Sequence, residues 1–194
     1  KKYLSRTGGK VLISIGCGTG SHEIKLASLN PHLHIKGYDL SEALLQEARD
    51  KVVKAAVKNI SFIKADAYAL LFADESVDYF LFNASLHHLQ HIDSFLQNKI
   101  VPALKENGLV ILNEYAGPNR MNFPASQIKE SSSLLNYLPD EKKKIAFTGI
   151  MKSRSYRLGK WRMLFSDPSE CIESENILPA VHAHFHVLEE KPLG

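Results

Sequence analysis

Along the first 115 residues the apolar positions switch between two periods. Val11-Leu-Ile-Ser-Ile15 is a short apolar run ending in glycines, the pattern of a buried strand. Ser21 to Leu29 reads as a helix that stops at Asn30-Pro31. His34 to Asp39 predicts a second strand. Ser41 then sits at an N-cap, and Leu44, Leu45, Ala48, Val52, Ala55 and Ala56 follow at helical spacing. Ile60 to Lys64 and Val77 to Asn83 predict a third and a fourth strand. Asp93 to Lys105 is helix-like, with Phe95, Leu96, Ile100, Val101 and Leu104 on one side. Pro102 kinks or shortens that helix, and Asn107-Gly108 closes it. Leu109 to Asn113 predicts a fifth strand.

Strands alternating with helices imply an α/β fold with a mostly parallel sheet covered on both faces. Right-handed crossovers make it doubly wound, and ligands then bind at the carboxyl ends of the strands. The residues that matter therefore follow Ile15, Asp39, Lys64, Asn83 and Asn113. Residues 116–180 break the alternation with Gly117-Pro118, Ser131-Ser-Ser133, Pro139 and Asp167-Pro168. They read as a helical cap inserted into a single domain spanning 1–194. Asp167-Pro168-Ser169-Glu170 carries the marks of a helix start. His184 to Glu189 returns to a strand pattern.

Composition narrows the class. At 44% hydrophobic and 23% charged, 194 residues fit one soluble globular domain and exclude a disordered tail. Cys17 and Cys171 are too few for a disulfide framework or a four-thiolate zinc site. No apolar run reaches the roughly 20 residues of a membrane span, and no signal peptide is visible, so the expectation is cytoplasmic. The net charge of +3 is too mild by itself to imply nucleic acid. Lys1-Lys2 at the start, and Gly194 directly after a strand-like segment, read as the ends of a fragment.

Ile15-Gly-Cys-Gly-Thr-Gly20 follows a strand and opens a helix, where glycines let the backbone turn and approach a ligand. The dinucleotide fingerprint needs its third glycine at 21, which is Ser21, so a nicotinamide cofactor fits poorly. Asp39, at the end of the second strand, suits the two hydroxyls of a ribose. Asp66-Ala67 follows the third strand and suits an adenine edge.

Taken with Tyr38-Asp39-Leu-Ser41, Ala65-Asp66-Ala67, Asn83-Ala-Ser-Leu-His-His-Leu89 and Leu109-Val-Ile-Leu-Asn113, this loop resembles the class I S-adenosylmethionine-dependent methyltransferases over about residues 10–115. The resemblance implies a Rossmann-like sheet of seven strands. Phe185 to Glu189 would be the sixth, and the antiparallel last strand would lie beyond Gly194. It implies S-adenosyl-L-methionine as cofactor. Gly16, Cys17, Gly18 and Gly20 would line its methionine and ribose part, Asp39 would hold the ribose and Leu40 would pack on the adenine. Asp66 and Ala67 would meet the adenine edge, and Asn83 would lie by the transferred methyl. One position departs: the family's acid two residues before the first glycine is Ser14 here, so the contact to the cofactor's ammonium must weaken or come from elsewhere.

Several further residues follow strands on the ligand side. His87 and His88 could act as general base, because imidazole titrates near neutrality. Glu114 or Tyr115 could orient an acceptor or take its proton, and Tyr115 to Arg120 reads as a rigid turn able to close over it. His87 and His91 could share a helix face, but no third ligand can be placed, so no metal site is assigned. His182, His184 and His186 would share one face of a strand. Lys142, Lys143, Lys144, Lys152, Arg154, Arg157, Lys160 and Arg162, with Tyr156 and Trp161 interleaved, form a cap segment without acids. It suits an anionic acceptor or, less well, RNA.

The expected function is methyl transfer to an oxygen or nitrogen of a small-molecule or glycan-like acceptor, with the cap shaping the acceptor pocket. Two alternatives stand beside it: an RNA methyltransferase using the basic cap, and a non-catalytic nucleotide-binding or interaction module.

Overall fold

The protein is described by a computed structural model that covers residues 9–157, 165 and 167–192. Its centre is a parallel sheet of five strands in the order β3-β2-β1-β4-β5. These are β1 (Lys10–Ile15), β2 (Leu33–Asp39), β3 (Ile60–Lys64), β4 (Val77–Asn83) and β5 (Leu104–Asn113). Leu12 of β1 is flanked by Ile35 of β2 and Tyr79 of β4, which fixes the register of the three central strands. The chain runs outward from β1 to β3, then returns to the other side for β4 and β5. The direction of winding therefore reverses between β1 and β4, where such sheets bind ligands.

Successive side chains of a strand point to opposite faces, so each central strand feeds two cores. Leu12, Leu33, Ile35, Tyr79 and Leu81 pack on one face under Ala27 of α1 (Ser21–Leu29). Ile13, Ile15, Phe80 and Phe82 pack on the other, against Ile92, Phe95, Leu96, Ile100, Ile177 and Ala180. Phe80 and Phe82 are fully buried, each contributing roughly 2–3 kcal/mol of transfer free energy. The Ser41 hydroxyl caps α2 (Glu42–Ala55), and Leu45 and Ala48 of that helix close over Phe62 and Cys17.

At the amino edge, Asp78 of β4 is buried and accepts from Lys10 Nζ (2.8 Å), Val11 N (2.9 Å) and Lys105 Nζ (2.9 Å). Burial alone would raise its carboxyl, but these hydrogen bonds outweigh it and hold it below the usual carboxylate range.

The expected helix over 93–105 is instead α3 (Ile92–Phe95), a π-helical turn (Leu96–Ile100) and α4 (Val101–Ala103). Pro102 lacks an N–H and crowds the preceding turn, so the helix stops there. The Pro102 and Ala103 carbonyls then accept from Glu75 N and Ser76 N. This draws Leu104 into the sheet beside Val77, so β5 begins earlier than the apolar run suggests, with a bulge before Leu109. Asn107-Gly108 belongs to that bulged strand, not to a helix end.

Residues 185–189 form no strand. The preceding segment is a helix, α7 (Ile177–His184), because Ile177 and Ala180 bury one helical face and Pro179 is tolerated in a first turn. His182 and His184 are thus helical and separately paired, to Glu190 (3.1 Å) and Asp93 (2.8 Å), which removes the expected three-histidine strand face.

Asp167–Glu170 forms a turn, not a helix start: Asp167 Oδ1 accepts from both Ser169 N and Ser169 Oγ, and the next helical residues are the 3-10 turn Ser174–Asn176 ahead of α7. Between β5 and that turn lie α5 (Ala125–Leu134) and α6 (Asp140–Lys143), with an antiparallel bridge from Lys144 to Met151. Arg154 lies over the Tyr156 ring at 4.6 Å. Lys160, Trp161 and Arg162 of the basic segment lie outside the described residues. No described helix is long and apolar enough to cross a membrane.

Candidate functional site

The glycine loop sits at the reversal point. Gly16 N and Cys17 N both donate to the Tyr38 carbonyl (2.8 and 3.1 Å), tying the loop to the end of β2. Gly16 and Gly20 adopt φ of +71° and +65°, a region L side chains avoid. A Cβ at Gly16 would lie 2.5 Å from Ser85 Cβ, and one at Gly20 would meet the Phe62 ring. Cys17 is packed among Ile24, Leu45 and Phe62, and burial pushes its thiol up, aided by the Glu23 and Asp39 charges. Its side chain packs into the core beneath the loop.

Asp39 faces this loop. One carboxylate oxygen accepts from Gly18 N (2.8 Å) and the other from Ser41 N (2.9 Å). Each oxygen has a further lone pair for a ribose hydroxyl. Leu40 beside it is 63% exposed, a large apolar surface suited to an aromatic base. Asp66 is exposed, fixed by Tyr68 N (2.9 Å), and Ala67 beside it packs on the core. Asn83 bridges Asn113 Nδ2 (2.7 Å) and His22 Nδ1 (3.1 Å).

A carboxylate nonetheless stands beside Ser14, from a place the strand pattern does not show. Ser14 Oγ donates to Glu23 Oε1 of α1 at 2.8 Å, and Glu23 is only 2% exposed. A buried carboxylate thus lies under the loop after all, delivered by a helix.

After β4 the chain turns through Ala84 at φ +53°, strained for a residue with a side chain. That turn aims Ser85 N and Leu86 N at Glu114 Oε1 (2.8 and 2.9 Å). Glu114 Oε2 meets His87 Nδ1 at 2.7 Å, and this hydrogen bond raises the imidazole pKa against the opposing effect of burial. Ser85 Oγ, beside Gly16, is buried with no hydrogen-bond partner among the described residues. A buried hydroxyl without a partner, a ribose-type carboxylate and an exposed apolar platform along one edge fit an adenosyl cofactor carrying a polar amino-acid end.

The candidates after β5 divide. Glu114 joins the histidines, whereas the Tyr115 hydroxyl donates to the Pro118 carbonyl (3.2 Å) and closes its own turn. Arg120 does not reach across the loop. Its Nη1 donates to the Pro168 and Glu170 carbonyls (2.5 and 3.1 Å) and buttresses the 167–170 turn.

That turn brings in residues the sequence pattern had not singled out for this site. Ile172 N donates to the His87 carbonyl (3.2 Å), and Ser169 Oγ lies 3.0 Å from His88 Nδ1. Glu170 comes within 3.6 Å of His87 Nε2 and 3.9 Å of His88 Nε2. His91 takes no part and instead precedes α3. A groove of about 480 Å³ lined by His91, Asp93, Glu173, Asn176 and Ala183 shares no lining residue with the glycine loop.

Comparison with known proteins agrees with this layout. A family model described as a methyltransferase domain matches residues 6–174. The demethylmenaquinone methyltransferase of Listeria monocytogenes is 30% identical over 112 residues, which are 57% of this chain and 47% of that protein. The chain spans about half the length of the curated relatives it matches. Phosphoethanolamine N-methyltransferase 2 of Haemonchus contortus, solved with phosphomonomethylethanolamine and S-adenosylhomocysteine, is 26% identical. The match has a TM-score of 0.56 and covers 68% of this chain and 30% of that one. YcgJ of Bacillus subtilis, at 21% identity and TM-score 0.54, covers 85% of this chain and 63% of its own, and speaks for the fold alone.

Proposed function

The chain belongs to the methyltransferase-domain family, and from that premise we propose that it binds S-adenosylmethionine along the carboxyl edge of its sheet and passes the methyl to an oxygen or nitrogen of a small or glycan-like acceptor. The observation that carries this reading is Asp39 held opposite the glycine loop, with a lone pair left on each oxygen. The cofactor supplies an electrophilic methyl on a sulfonium centre.

The chain's own residues bind, orient and exclude water. Gly16, Cys17, Gly18 and Gly20 form the floor under the amino-acid and ribose part. Leu40, Asp66 and Ala67 frame the base. Glu23 provides the anionic partner for the ammonium that Ser14 does not, and Asn83 with Ser85 borders the methyl side. Glu114 fixes the His87 ring beside this edge through its Nδ1–H. Much of the rate then comes from alignment. Tyr115 contributes by holding the turn into the cap, residues 116–180, which we read as the acceptor-side wall of a single domain. Exposed Lys142, Lys144, Lys152 and Arg154 favour an acceptor that carries negative charge. The phosphobase in the Haemonchus relative's complex is of that type.

Calorimetric titration with S-adenosylmethionine and S-adenosylhomocysteine, on the wild type and Asp39→Ala, tests the reading. Binding should weaken by roughly 100-fold or more in the variant, the size of two hydrogen bonds to a charged group. A folded wild-type chain that binds neither compound would overturn it in favour of a non-catalytic module.

A further inference from the structure

We propose that His87, His88 and Glu170 form a binding site for one divalent transition cation of the zinc type, next to the methyl-transfer edge. The argument begins with protons. Asp167 Oδ1 accepts the Ser169 hydroxyl proton at 2.6 Å. The Ser169 oxygen is therefore the acceptor for His88 Nδ1–H at 3.0 Å. In the same way, Glu114 accepts from His87 Nδ1–H at 2.7 Å. In both neutral imidazoles the lone pair is thus left on Nε2.

Both Nε2 atoms face the Glu170 carboxylate, at 3.6 Å for His87 and 3.9 Å for His88. Neither distance is a hydrogen bond. They run to different oxygens of the carboxylate, and each is near the ligand–ligand edge of about 3.4 Å that tetrahedral bonds of about 2.05 Å produce. The three ligand atoms lie within 4.8 Å of one another. Among the described residues, the only hydrogen bond donated to the Glu170 carboxylate comes from the Cys171 thiol (3.0 Å). A thiol is a weak hydrogen-bond donor. A cation placed between them would bring the two lone pairs and the anion into one shell.

The shell around the ligands has the form such sites need. Each histidine is oriented through its other ring nitrogen, one by a carboxylate and one by a hydroxyl, which fixes tautomer and ring direction. The Glu170 turn is itself held by Arg120 through two carbonyls. Two imidazoles and one carboxylate suit zinc or a neighbouring transition ion, and not magnesium or calcium, which prefer all-oxygen shells. Three protein ligands leave a fourth position for water or an acceptor oxygen. His87 is buried, while His88 and Glu170 are partly exposed, so an ion can enter from the acceptor side.

The test needs no turnover and no acceptor. The metal-stripped full chain is titrated with Zn²⁺ against a chromogenic chelator, and with Co²⁺ followed by visible absorption. One equivalent should bind, and excess Mg²⁺ should not displace it. Glu170→Gln and His88→Ala, both at partly exposed positions, should each weaken binding by at least tenfold. Ser169→Ala should weaken it by about tenfold through the orientation of His88. His182→Ala, at an exposed histidine elsewhere, should change nothing. Each variant is checked for an unchanged melting temperature in chelator. Absence of a stoichiometric site in the wild type would overturn the proposal, as would wild-type affinity in both Glu170→Gln and His88→Ala. S-adenosylhomocysteine titration of the same samples separates this from the cofactor reading, which stands if that ligand binds while zinc does not.

Discussion

Two carboxylates a few residues from ordinary loop positions do opposite jobs, and what each one accepts tells them apart. Asp39 accepts two backbone N–H groups and keeps capacity for a ligand, whereas Asp78 is saturated by Lys10, Val11 and Lys105. Asp78→Asn should therefore cost stability and leave cofactor affinity alone. A cost of about 1–3 kcal/mol at neutral pH is expected from a buried charged hydrogen-bond centre. Its folded-state pKa is depressed, so the stabilisation is present above the ordinary carboxyl value near 4 and is lost as pH falls through the lower folded value. Urea unfolding at neutral pH and in acid should show the wild-type advantage shrinking to nothing below that window. Glu23 makes the complementary case. Glu23→Gln keeps an acceptor for Ser14 but removes the charge, so S-adenosylmethionine should bind about tenfold more weakly by calorimetry while the fold persists. Gly16→Ala should be worse on both counts, because a left-handed φ costs an L residue roughly 1–2 kcal/mol and the new methyl collides with Ser85.

At the scale of elements, the first four strands and the first two helices could be read from periodicity, because each buries a face whose spacing matches its own geometry. Several later elements could not, the helix expected over 93–105 among them. The early start of β5 depends on backbone partners at Glu75 and Ser76, which no local pattern records. Helix α7 was hidden because alternating histidines at 182, 184 and 186 imitate a strand, while its helical signal rests on Ile177 and Ala180. Ile177→Ala should therefore lower stability by about 2–5 kcal/mol in denaturant unfolding, as a fully buried side chain at a helix–sheet junction does. An exposed strand there would lose almost nothing. The site divides along the same line. Glycine loop, Asp39 and the histidine pair were visible because each follows a strand directly. Glu23 and Glu170 were not, since one sits in a helix and the other reaches the histidines only through the turn that Arg120 and Ile172 pin down.

For the molecule as a whole, chemistry and anchorage occupy opposite ends of one sheet. Asp78 and its lysines secure the amino edge, and every candidate cofactor residue lies at or beside the carboxyl edge. Past β5, Phe147, Tyr137 and several cations are exposed, a surface that the proposed function assigns to the acceptor side. The central claim is that one ligand-binding line runs from Leu40 through Asp39 and the glycine loop to Ser85. A crystal structure of the chain with S-adenosylhomocysteine tests it most directly. The account predicts the ribose hydroxyls on Asp39, the base against Leu40, and Ser85 Oγ hydrogen-bonded to the amino-acid end or facing the sulfur. A ligand bound elsewhere, for instance in the groove between α3 and α7, or bound here with Asp39 still turned wholly to its own backbone, would contradict it.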